Sequence, residues 1–375
     1  MLFEMILNPG SIFFWLLIIA IIAGAVMVIS RPFSTYVKFV YPNAKFEAIG
    51  NPYIEDTILT GLVDRKNLTD FKEAINASKD YKIEGETSYE IQESLDNSFL
   101  KTIEMMKKDS SKKMNEFYDL YLEKMDIYLI KKILKNKIFE KSIQETLSDK
   151  AILQKTKDII QELIDSDKEN LPIILKKYGF SELIIDAISD KDKDLLYLDN
   201  SIDKFIIEKF KKLKVPYKCE SGKQTFVKTM IDISNIKNAL RAKQLKYDDQ
   251  LFMKLFLGDG HEIASWKYKE ISEAESVEQV ISSLEGTSYY NCLKDSIEDY
   301  NKEKSVQVFE NALDSYFLKI VRDISTKNYV TIGPTIRFLT SKEFEIRNLK
   351  IIAKGVYENL PSELINKYLI KEAVR

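Results

Sequence analysis

Two short stretches combine residue types that chemistry could use. Ser221-Gly222-Lys223-Gln224-Thr225 contains the Gly-Lys pair that closes a phosphate-binding loop, where backbone amides cradle the phosphates and the lysine reaches the terminal ones. The residue after Lys223 is Gln rather than Ser or Thr, and the earlier glycine is absent, so the stretch reads as an ordinary polar loop. Gly258-Asp259-Gly260-His261-Glu262 resembles a fragment of a metal site. His261 is the single histidine of the chain and no cysteine stands near it, so a tetrahedral set has no way to close. It reads as a solvated turn. Cys219 and Cys292, the two cysteines, share no metal-type spacing, which argues against a zinc site or disulfide framework and fits a reducing compartment. The expected set of catalytic residues, metal ligands and cofactors is therefore empty, and no small-molecule substrate is expected. Lys+Arg (56) and Asp+Glu (58) nearly cancel with the signs interspersed. Without a basic footprint, nucleic acid is not an expected partner.

The charged residues that do form a pattern recur. MDIYLIKKIL from Met125, IDISNIKNAL from Ile231 and FEIRNLKIIA from Phe344 each place an acid before Ile and a lysine five residues on: Asp126 and Lys131, Asp232 and Lys237, Glu345 and Lys350. The acids stand 106 and 113 residues apart. A second pattern precedes each copy by a near-constant 30, 33 and 31 residues, led by Asp96, Asp199 and Asp314 and ending on Lys101, Lys204 and Lys319. Residues five apart on a helix lie about 140° apart around it, so acid and lysine of one copy do not form the i,i+4 pair. They are expected to flank a buried Ile/Leu stripe and to pair with other helices, with Lys101, Lys204 and Lys319 as candidate partners of the acids.

Long helices must carry these patterns. Twelve Gly and eight Pro are roughly 3% and 2% of the chain, well under the usual ~7% and ~5%, and Ile127, Ile130 and Leu134 recur at helical spacing. A period above a hundred residues exceeds the solenoid range of about 20 to 50. The expectation is all-α: three similar helical domains, residues 36–145, 146–250 and 251–375. Packed head to tail, three copies close around an axis into a ring or funnel with a central hollow.

Residues 1–35 form a separate expectation, an N-terminal anchor. Residues 12–29 contain no charge or strongly polar group and as a helix span roughly 27 Å, the hydrocarbon thickness of a bilayer. Asn8-Pro9-Gly10 marks a turn before it, Ser30-Arg31-Pro32 is expected to stop it, and Trp15 suits the interface. The preceding residues carry only Glu4 where a cleaved signal peptide needs a basic stretch. Arg31, Lys38 and Lys45 follow, placing the body in the cytoplasm with a single-pass helix in the cell membrane. Ala20 and Gly24 make a small-xxx-small pair that would admit a second helix; the same pair is also no more than an apolar helix of this composition contains.

IDISNIKNALRAKQL (231–245), FEIRNLKIIAKGVYENLPSELINKYL (344–369) and SEAESVEQVISSLEGTSYYNCL (272–293) resemble the C subunit of archaeal-type ATP synthases, the relative of the d subunit in vacuolar ATPases. The resemblance covers nearly everything after about Tyr41. It implies a non-enzymatic central-stalk connector built as a three-domain funnel, seated on the membrane rotor ring and receiving the tip of the central-stalk coiled coil, with ATP and ions handled by other subunits. The N-terminal apolar helix departs from the soluble start typical of that family. A membrane-anchored helical scaffold is the alternative from another class; the threefold repeat separates the two, because a tether has no need of a triplicated body.

Overall fold

The computed structural model describes residues 8–50, 54, 56–78, 81–141, 151–189 and 194–373. Glu4 and the domain boundary expected at 145/146 lie outside them. All regular structure among the described residues is helical.

The first helix, α1 (Ile12–Ile49), starts on Ser11, whose side chain accepts from the Phe13 amide. It does not stop at Ser30-Arg31-Pro32 but runs 38 residues, about 57 Å, through Pro32 and Pro42. A proline inside a helix costs about 3 kcal/mol, and packing offsets that loss. Thr35, Phe39, Pro42, Asn43 and Phe46 are buried against the body, and Phe46 stacks on Phe338 at 5.1 Å. The Asn43 side-chain amide donates to the carbonyls of Tyr329 and Thr331 at 2.7 and 2.9 Å. The most apolar window of the helix, by contrast, is entirely unburied. One continuous rod thus leaves the body and crosses position 35, the expected end of the anchor.

Three pairs of long helices form the body: α4 (Ser88–Asp109) and α5 (Asn115–Ile138), α9 (Leu195–Lys212) and α10 (Glu220–Gln244), α16 (Gln307–Lys327) and α17 (Gly333–Tyr357). Shorter helices precede each pair: α2 (Asp56–Val63) and α3 (Leu68–Asn76); α6 (Gln154–Asp165), α7 (Leu171–Lys177) and α8 (Glu182–Ser189); α11 (Asp249–Lys254), α12 (Ser265–Ser272), α13 (Val277–Ser283), α14 (Tyr290–Lys294) and α15 (Ile297–Glu303). A last helix, α18 (Ser362–Lys367), follows α17. Local chemistry sets several starts: Thr87 and Glu90 form a reciprocal capping box on α4, and Asp194 accepts two amides at the start of α9, closing donors a helix leaves open.

Apolar residues four apart then build the core. On α4, Ile91, Leu95, Phe99 and Ile103 are each fully buried, which stabilises by about 1.5–3 kcal/mol per side chain. A row of rings joins the pairs: Phe117 to Phe210 at 6.1 Å, Phe210 to Phe226 at 6.3 Å, Phe226 to Phe317 at 5.9 Å and Phe317 to Phe344 at 6.4 Å. Phe226 sits mid-row and is fully buried, so Phe226→Ala should lower the unfolding free energy by about 3–5 kcal/mol, against under about 0.5 kcal/mol for the exposed Tyr357→Ala. Denaturant unfolding of both variants in detergent checks this.

Candidate functional site: the recurrent charges and the cavity they surround

Each recurrent acid is buried and faces backbone amides rather than the lysines expected from the sequence. Asp126 accepts from the amides of Ile152 and Leu153, both at 2.9 Å. Asp232 accepts from His261, Glu262 and Ile263 at 3.0, 2.9 and 2.9 Å and from the Tyr289 hydroxyl at 3.1 Å. Glu345 accepts from the Ile54 amide at 2.9 Å, the Tyr81 hydroxyl and the Lys342 ammonium at 2.7 Å. With Asp126 and Asp232 2 and 0% exposed, a partner ammonium such as Lys101 would have to shed its water, whereas a loop amide gains an acceptor it needs; at Glu345 a lysine of its own helix, Lys342, is buried with the acid. Burial raises the carboxyls of Asp126 and Asp232 above the ordinary value, against the lowering effect of the amides.

The solvated turn at Gly258 to Glu262 is thus a loop wrapped around Asp232. Gly260 lies so close that a Cβ there would meet the Asp232 carboxylate at 1.9 Å, and only a glycine fits. The His261 side chain points outward, exposed. The stretch at Ser221 is not a polar loop either: it is the first turns of α10. Lys223, 2% exposed, donates to the Leu213 and Lys211 carbonyls at 2.6 and 3.4 Å, closing the end of α9. Both cysteines are free, and burial pushes each thiol up to about 12, away from the nucleophilic thiolate. Among the described residues no group of His, Cys, Asp and Glu could hold a metal ion.

The lysines pair with aspartates of the second pattern. Lys131 reaches Asp203 at 2.5 Å, one turn beyond Asp199, which takes Lys135 at 2.6 Å. Lys237 reaches Asp314 at 2.6 Å, and Lys350 reaches Asp96 at 2.5 Å. Both sets of contacts run in one direction. The first copy reaches into the second stretch of chain, the second into the third, and the third returns to the first through Lys350 to Asp96 and Glu345 to Ile54. Asp96, Asp126 and Lys350 line a common cavity of about 250 Å³ where these contacts meet.

A larger cavity of about 340 Å³ lies among the long helices. α5 contributes Lys124, Ile127, Tyr128 and Lys131, and α10 contributes Met230, Ile233, Ser234 and Lys237: in both, the positions two before and one, two and five after the acid. α17 contributes Glu343 and Arg347, two before and two after its acid, with Phe344 between. Phe317 and Phe344 line it too and belong to the aromatic row. Lys124 donates to both oxygens of Glu343 at 2.7 Å and Tyr121 to one at 2.5 Å, while Arg347 joins Lys237 on Asp314 at 2.9 Å. Lys124, Glu343, Arg347 and the aromatic row fall outside the recurrent sequence pattern, although fixed offsets from each acid mark the first three. Ala20 and Gly24 lie on the unburied part of α1, exposed.

The cavity is walled by ion pairs and apolar side chains, a lining that offers contact area. The model of the ATP synthase (C/AC39) subunit family matches residues 42–368. The chain belongs to this family. It is 31% identical over 368 residues to the C subunit of the A-type ATP synthase of Methanobrevibacter smithii, covering 94% of each chain. Identity to that of Methanosphaera stadtmanae is 28% over 376 residues, covering 97% of this chain and 96% of the relative, and to that of Methanocaldococcus jannaschii 32% over 270 residues, covering 70% and 66%. The family match begins after the apolar part of α1, whereas the Methanosphaera match covers so much of the chain that it reaches into it. Family membership makes this chain a component of a larger complex, not an enzyme in its own right.

Asp232→Ala would strand three amides and a hydroxyl in a buried site; at about 1–3 kcal/mol for each of these four unsatisfied groups, a loss of at least about 4 kcal/mol is expected in denaturant unfolding. Asp126 binds its proton more tightly folded than unfolded, where the carboxyl titrates near about 3.9. Its contribution to stability is therefore full below that value and lost as pH rises through the folded value. The Tm deficit of Asp126→Asn relative to wild type should narrow as pH rises above about 4; a deficit that widens would reverse the sign.

Proposed function

We propose that this chain is the non-catalytic connector of a rotary A-type ATP synthase, joining the central-stalk coiled coil to the membrane proteolipid ring so that ATP synthesis or hydrolysis and ion transport stay coupled. The observation that carries the proposal is the return of the third copy to the first, through Lys350 to Asp96 and Glu345 to the Ile54 amide. Contacts that run from each copy to the next and then back to the start favour three units closed around an axis, with residues 36–145, 146–250 and 251–375 as the units. The cavity among the long helices, lined by ion pairs and by the rings of Phe317 and Phe344, suits a cup that seats the end of a shaft. Interiors packed like these resist compression, as transmission of torque requires.

In this reading residues 12–29 cross the bilayer and the body stands on the cytoplasmic side. Because α1 is one helix from span to body, a turning body turns its span with it. A helix inside the ring, with Ala20 and Gly24 toward ring helices, satisfies that condition without shearing an outer seal. Detergent extraction of the tagged chain should bring down the nucleotide-binding head and the ring proteolipid together; recovery of neither would refute the connector role. Deleting residues 1–30 leaves the packed stretch from Thr35 to Phe46 in place, so the body should unfold at nearly the same temperature while ring recovery falls severalfold.

A further inference from the structure

The walls of the cavity match in position and differ in chemistry. Two residues before the acid stand Lys124, Met230 and Glu343; two residues after it stand Tyr128, Ser234 and Arg347. Lys124 and Glu343 are paired at 2.7 Å, which makes the side between α5 and α17 a closed ionic seam, and Arg347 is held on Asp314 at 2.9 Å. The α10 wall has no ion pair at these two positions. It offers Met230 and Ser234 beside Ile233, while its one charge, Lys237, lies a turn further on and is already held by Asp314 at 2.6 Å.

We infer that the cup is keyed: a shaft end seats in one of the three angular settings that equivalent walls would otherwise offer. This rests on the connector reading above and adds what that reading leaves open, the angular register of the joint. The occupant it selects is a helical tip with an apolar flank toward Met230 and Ile233 and a hydrogen-bonding flank toward the Lys124–Glu343 seam. Turning such a tip by one third would set its apolar flank against the Lys124–Glu343 pair, whose side chains are each 25% exposed, stripping its remaining water, and its polar flank against Met230, where polar groups would lack partners. A keyed joint carries torque in either sense without slipping to the next setting.

The test uses the assembled complex with one cysteine at the tip of the shaft and one in the cup, placed in turn by Tyr128→Cys, Ser234→Cys and Arg347→Cys. Native Cys219 is buried and Cys292 lies on α14, away from the cavity. With a short bismaleimide as cross-linker, one of the three variants should give at least about ten times the yield of the others, the ratio that about 1.4 kcal/mol of misfit produces. Equal yields at the three positions would overturn the keying while leaving the shaft seated; no cross-link at any of them would overturn the seating itself. Exchanging the wall chemistry with Lys124→Met and Met230→Lys should move yield away from the favoured position. An unchanged distribution would show that these side chains do not set the register.

Discussion

A carboxylate removed from water must be met by donors, and in this molecule those donors come from a different stretch of chain. Asp126, Asp232 and Glu345 each lie on a long helix and each accept from backbone amides beside the next group of short helices: Asp126 and Glu345 from the segment just before it, Asp232 from the loop between its first two helices. A buried charge tolerates little displacement, since losing a partner leaves it uncompensated at several kcal/mol. Each acid therefore pins the position of a neighbour as well as stabilising its own helix. The lysine pairs that run the same way, such as Lys237 to the buried Asp314, add register between neighbours.

That division of labour bears on stiffness. The aromatic row from Phe117 to Phe344 crosses the body, and its last two rings line the cavity together with the ion pairs. Apolar packing resists compression without fixing which partner lies where; hydrogen-bonded ions fix the partner and contribute less energy. A component that must hold its shape under load uses both.

α1 shows how tertiary contacts override a local signal. Pro32 follows a charged residue at the end of an apolar run, the arrangement that ordinarily ends a helix, yet the helix continues because Phe39, Asn43 and Phe46 have a surface to dock on. The result is a stiff link between the apolar segment and the body in place of a hinge.

Composition and periodicity were enough for the all-helical class, the apolar N-terminal helix and the triplicated pattern, since these rest on spacing along one chain. The offsets from acid to lysine singled out side chains that the fold uses in buried hydrogen bonds and ion pairs between segments. Their partners were not legible. Whether Asp232 meets Lys204 or the amides after Gly260 depends on how deeply α10 is buried, and burial is a property of the assembled helices. Likewise Gly222-Lys223 looked like a loop because nothing in the sequence says that the end of α9 lies beside it. Spacing along a helix follows from the chain alone, whereas the dielectric around a charge and the identity of its neighbours exist only once distant segments have packed.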